Sequence, residues 1–148
     1  MGQQQLLLLV LGIVIVGLAV VVGIQAFSEN QKKSNADSLV NDAIRIASDA
    51  QAWKLKPAAF GGGAGAVEWT GLNFGQIGYT EGDQGFHPGT AATATMYENL
   101  NGTFALSGQV AGPLVITATS FDANDAALNT VVVTVAGTST GNISTVIN

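Results

Sequence analysis

From Leu6 to Phe27 the chain carries 22 residues of which only Gln25 is polar, and 15 of them are Leu, Ile or Val. No water-soluble fold leaves such a run unpartnered. About 20 apolar residues suffice for a helix to cross the roughly 30 Å hydrocarbon core of a bilayer. Each Leu, Ile or Val favours insertion by roughly 0.3–0.6 kcal/mol, and together they outweigh Gly12, Gly17, Gly23 and Gln25. The segment therefore enters a membrane. A removable secretory signal would have a basic start, a shorter apolar core and a small-residue cleavage site. "MGQQQ" has no Lys or Arg, and Ile24-Gln25-Ala26 is a poor site, so the segment is expected to be retained.

The run does not stop in a turn. It passes into "SENQKKSNADSLVNDAIRIASDAQAWKLK", where Ala36, Leu39, Val40, Ala43, Ile46, Ala47, Ala50 and Trp53 recur at three- and four-residue steps. That is the spacing of an amphipathic helix. No Gly or Pro interrupts residues 24–56, and Pro57 ends the pattern. One helix from Gln3 to Lys56, about 80 Å long, is predicted. "PAAFGGGAGA" (57–66) reads as a flexible connector without regular structure. Beyond it, Val67–Phe74 and Gln76–Thr80 read as short strands. "ATATMYENLNGTFALSG" reads as a hairpin turning at Asn101-Gly102 in a type I′ turn. "PLVITATSF", "TVVVTVAG" and "NISTVIN" supply further strands. The expected fold is α+β: a long N-terminal helix packed on a small C-terminal antiparallel head of five to seven strands. The expected segments are 1–27 (apolar helix half), 28–56 (amphipathic half), 57–66 (linker) and 67–148 (β head). Trp53, Trp69, Phe74, Tyr79, Tyr97, Phe104 and Phe121 are its expected core aromatics.

Charge and side-chain chemistry exclude several function classes. All five basic residues (Lys32, Lys33, Arg45, Lys54, Lys56) precede Pro57. A head without cations cannot neutralise phosphates, so no nucleic-acid partner is expected. There is no cysteine and one histidine, His87 in "GFHPG", so catalytic triads and His- or Cys-based zinc sites lack their parts. The acidic loops "EGDQG" (Glu81, Asp83) and "DANDA" (Asp122, Asn124, Asp125) lack the ligand spacing of a calcium loop. The expectation is a non-enzyme without catalytic, cofactor-binding or metal-binding residues. "NGT" at Asn101 and "NIS" at Asn142 fit the N-x-[ST] acceptor pattern and are candidate glycosylation sites.

A long leading helix, apolar then amphipathic, before a small β-rich head resembles the type IV pilins and pseudopilins. "GQQQ" is similar to the start of archaeal-type pilin leaders, which are cleaved between a glycine and a glutamine. The resemblance implies a structural subunit. It would wait in the inner membrane with its head outside, be extracted by a pilus assembly machinery, and polymerise with itself into an extracellular cell-surface filament. Many pilins carry a glutamate a few residues into the helix, which pairs with a neighbour. Here Gln3, Gln4 and Gln5 stand in that region, so any register device is expected to be hydrogen-bonded rather than ionic. Close helix packing in an apolar medium relies on small residues, which singles out Gly12, Gly17, Ala19 and Gly23 for assembly. The stripe beginning at Ala36, Leu39 and Val40 is expected to outrun the head and to be covered by neighbouring subunits. The alternative is a single-span anchored β domain serving as a secretion component or binding module. Lys32 and Lys33 flank the C-terminal end of the span, and the positive-inside rule would place that end in the cytoplasm.

Overall fold

A computed structural model of the protein describes residues 2–79, 94–122 and 126–148. Helix α1 runs without a break from Gly2 to Leu55. It stops where the sequence places its stop: Lys56 N donates to Ala52 O and Trp53 O, and Pro57 then has no N–H to continue the ladder. The chain forms two compact units that meet within α1, one ending at Ser34 and the other spanning Asn35–Asn148.

In the second unit, α1 supplies one wall of a hydrophobic core. Leu39, Ala43, Ile46, Ala47, Ala50 and Trp53 are buried at the expected helical steps. The facing wall is a five-stranded antiparallel sheet in plain meander order: β1 (Met96–Asn99), β2 (Gly102–Ser107), β3 (Leu114–Phe121), β4 (Ala127–Val135) and β5 (Ile143–Ile147). The period-2 pattern puts Leu114, Ile116 and Ala118 of β3 on the core face, with Val131, Val133 and Val135 of β4. Phe104 and Leu106 of β2 extend that face, paired with Ala118 and Ile116. The α+β architecture with a small antiparallel sheet is the one read from the sequence.

Four expectations need correction. The stripe on α1 does not outrun its own chain: Leu39 is completely buried, Ala36 is buried and Val40 is half-buried. The turn between β1 and β2 reaches this part of the helix, where a Cβ on Gly102 would lie 3.0 Å from Leu39 Cδ2, so no neighbouring subunit is required there.

Residues 67–79 are not strands. They form consecutive tight turns, with Thr70 N donating to Val67 O, Leu72 N to Trp69 O, and Ile77 N to Phe74 O in the 3-10 turn Gly75–Ile77. Glycines at 71, 75 and 78 break any ladder, while Trp69, Leu72 and Phe74 are driven into the core. Hydrophobic content was correct and period was not. The stretch expected to begin a second strand extends to Thr80, which lies outside the described residues.

The glycine-rich connector is built into the fold. Ala58–Phe60 is a 3-10 turn, Gly63 N donates to Trp53 O at 2.9 Å and Ala64 N to Lys56 O at 3.1 Å. A Cβ on Gly63 would lie 2.3 Å from the Trp53 ring, so the glycine is there to let backbone close over the indole.

The hairpin turns one residue earlier than expected. Asn99 pairs with Gly102, leaving Leu100 and Asn101 as the loop, and neither has positive φ. Asn99 Oδ1 accepts from Asn101 N (2.8 Å) and Gly102 N (3.1 Å), an Asx-braced turn with glycine in its last position, as type I turns favour. Gly102 is required by proximity instead of by φ: a Cβ there would meet Thr119 O at 2.3 Å.

Candidate functional site

The residues singled out for assembly all lie on α1 before Ser34, where every described residue is exposed. Leu6, Leu9, Ile13, Leu18, Ile24 and Phe27 each leave more than half their surface uncovered; Leu9, for instance, is 63% exposed. An apolar side chain left in water forgoes roughly 1.5–3 kcal/mol of burial. The segment is long and apolar enough to cross a membrane. Gln3, Gln4 and Gln5 are exposed one turn before this run, and a Cβ on Gly12, Gly17 or Gly23 would touch nothing within 4 Å. At 100° per residue, Gly12, Ala19 and Gly23 fall on one face, joined by Ala26, whereas Gly17 lies on a different one. The chain itself brings Gly12, Ala19 and Gly23 into a single small-residue line and leaves Gly17 out of it.

The second half of α1 is tied to the sheet unit by polar contacts on both flanks of the buried stripe. On the β1 flank, Asp42 Oδ2 accepts from Asn101 Nδ2 at 2.7 Å and Asn99 Nδ2 at 3.0 Å. One turn pair further along, Asp49 Oδ2 accepts from the Tyr79 hydroxyl at 2.7 Å. Partial burial and this carboxylate acceptor push the Tyr79 pKa well above its ordinary value, keeping the phenol protonated. Tyr79 also packs edge-on to Phe74 and Tyr97, and Tyr97 packs on Phe104, so the polar contact sits at the rim of an aromatic cluster. On the β5 flank, buried Gln51 Nε2 donates to Gly137 O at 2.7 Å and Ser139 O at 3.1 Å, fixing the β4–β5 connection. At the helix end, Trp53 Nε1 donates to Gly61 O, and Lys54 Nζ donates to Ala66 O and Glu68 O.

Tyr79 is expected from the sequence only as a core aromatic, and the roles of Asp42, Asp49, Gln51 and Asn99 in these ties are not marked there. Their partners lie 30 to 88 positions away, and no local pattern marks a polar residue as half of such a pair. The cavity lined by Asp42, Arg45, Ile46, Tyr79, Tyr97 and Asn99 holds about 60 Å³, room for a few waters and too small for a metabolite. Among the described residues, no three His, Cys, Asp or Glu side chains converge to hold a metal ion. His87, Glu81, Asp83, Asn124 and Asp125 lie outside the described residues.

The two sequons differ in setting. Asn101 is half-buried with its amide committed to Asp42, whereas Asn142 is exposed in the 3-10 turn Thr140–Asn142 before β5. No family model, no curated protein and no solved structure matches the chain. The class that fold and surface define is a membrane-competent apolar helix continuous with an α+β unit.

Proposed function

We propose that this chain is the structural subunit of an extracellular type IV pilus-like filament. It polymerises through residues 6–27, which serve as a membrane span before assembly. The observation that carries the reading is the exposed apolar half of α1, continuous with a helix half whose stripe from Ala36 to Trp53 is largely buried by the rest of its own chain. Such a chain is folded in one part and incomplete in the other. Copies packing side by side would convert fifteen aliphatic side chains per subunit into a shared core, at about 25 cal/mol per Å² buried. Gly12, Ala19 and Gly23 permit close approach of backbones, and Gln3–Gln5 offer uncharged hydrogen-bonding groups to a neighbour without an ion's desolvation cost. Heterologous packing of this kind propagates as an open helix wherever its rotation does not close into a ring.

A single-span anchored β domain is the second reading. It is favoured by the burial of Ala36 and Leu39 within one chain, which removes one reason for neighbours. The two separate in electron microscopy of material sheared from cells that make the protein, with mass spectrometry of the same fraction. The filament reading expects fibres in which this chain is the principal component. Recovery of the chain only from membranes, with no fibres, overturns it in favour of the anchored domain.

A further inference from the structure

We propose that Asn142 is a glycan acceptor and that Asn101, which fits the same N-x-[ST] pattern, is not. The inference rests on the reading that places residues 35–148 outside the membrane. An N-x-[ST] acceptor must offer its amide nitrogen to an activated sugar and free its third-position hydroxyl for the transferase, in a backbone that can adapt to the enzyme's cleft. At Asn101 all three requirements fail together. Its Nδ2 is held against Asp42 Oδ2 at 2.7 Å. The Thr103 hydroxyl is buried, at 8% residue exposure, and donates to Thr119 O at 3.4 Å. The residue between them, Gly102, sits in β2 between β1 and β3, with Thr119 O so close that even a Cβ would not fit.

At Asn142 the two side-chain requirements are met, and the backbone that must adapt is tied by Asn142 N to Ser139 O and Ala136 N to Asn142 O instead of lying between two strands. Asn142 and Ser144 are both exposed. Ile143 between them is already extended, with φ −103° and ψ 122°. Ser144 belongs to β5, which pairs with β4 alone among the described strands, and edge strands open locally at lower cost than strands with two neighbours. The donor class is a lipid-linked diphospho-oligosaccharide. The Asn142 amide nitrogen forms a bond to the anomeric carbon as the bond from that carbon to the diphosphate oxygen breaks. One amide proton leaves with the lipid diphosphate. A glycan on Asn101 would instead displace the Asp42 contact that holds the hairpin to α1.

The test is peptide mass spectrometry on the chain isolated from the cells that naturally make it. No Lys or Arg follows Lys56 and trypsin does not cut before Pro57, so trypsin leaves residues 55–148 as one fragment and a chymotryptic digest is needed. The Asn142 peptide is expected to carry added hexose or N-acetylhexosamine masses, the Asn101 peptide none. Asn142→Gln is expected to abolish the shift of the intact chain and Asn101→Gln to leave it unchanged. An unmodified Asn142, or sugar on Asn101, overturns the proposal. Protease accessibility of residues 57–148 in intact cells separates the two failures. Accessible but unglycosylated chain sinks this inference and leaves the filament reading standing, while inaccessible chain sinks both.

Discussion

Leu39→Ala probes which surface covers the second half of α1. Leu39 is completely buried, and its Cδ2 would lie 3.0 Å from a Cβ added at Gly102, so it fills the seam between the helix and the β1–β2 hairpin. Truncation removes three carbons, worth about 2.4 kcal/mol at roughly 0.8 kcal/mol each. The residual cavity adds to this, because the seam is walled by sheet backbone at Gly102 and Thr119 and has little freedom to collapse. A total loss of about 3–4 kcal/mol is expected, within the range measured for Leu→Ala in well-packed cores. The assay is urea denaturation of the full chain in mild detergent, followed by the fluorescence of Trp53 and Trp69, which are 7% and 3% exposed. The midpoint should fall at unchanged slope and be independent of protein concentration. Leu9→Ala, on the exposed half, should leave the same transition in place. A loss below about 1 kcal/mol, or one that appears only in assembled material, would refute the claim that a single chain covers Leu39.

Other perturbations test the polar ties. Asp42→Ala strips the shared acceptor from Asn99 and Asn101 and should cost about 2 kcal/mol, with Asp42→Asn losing about half as much because an amide oxygen can still accept at the same point. Equal losses in the two variants, read by the same denaturation assay, would mean that charge dominates. Tyr79 holds its proton in the folded chain beyond the pH at which the unfolded chain releases it. Stability from this group is therefore complete below about pH 10 and declines above it. Tyr79→Phe should show a shallower alkaline decline in midpoint than the parent. Ser120 is buried with its hydroxyl unpartnered among the described residues, so Ser120→Ala should be neutral or stabilising by about 1 kcal/mol, and a clear loss would reveal a hidden partner.

Periodicity carried the second half of the helix and β3 and β4, where burial recurs every third-to-fourth or every second residue, whereas β5 is exposed along most of its length and was marked by its β-prone composition. Periodicity failed at residues 67–79, where Trp69, Leu72 and Phe74 are buried from tight turns. Composition failed at 57–66, since three glycines can mark flexibility or close approach, and only the position of the Trp53 ring decides between them. The Asn101-Gly102 pair signalled the right hairpin with the wrong turn, because Asn99 supplies the brace and Gly102 yields space to β3. Exposure of the candidate assembly line was legible in residues 6–27 from their apolar character alone. The Asp42, Asp49 and Gln51 ties were not, because each joins positions that only the completed fold brings together.

The claim that identical helices cover residues 6–27 is tested most directly by cross-linking in the natural cells and in material sheared from them. The chain contains no cysteine, so Ala19→Cys on the small-residue face and Val21→Cys, about 160° away around α1, can be introduced together without background. Open packing of copies expects a ladder of oxidised oligomers running well past the tetramer, with each single variant stopping at the dimer. Material that stays monomeric, or a double variant that also stops at the dimer, would contradict the account.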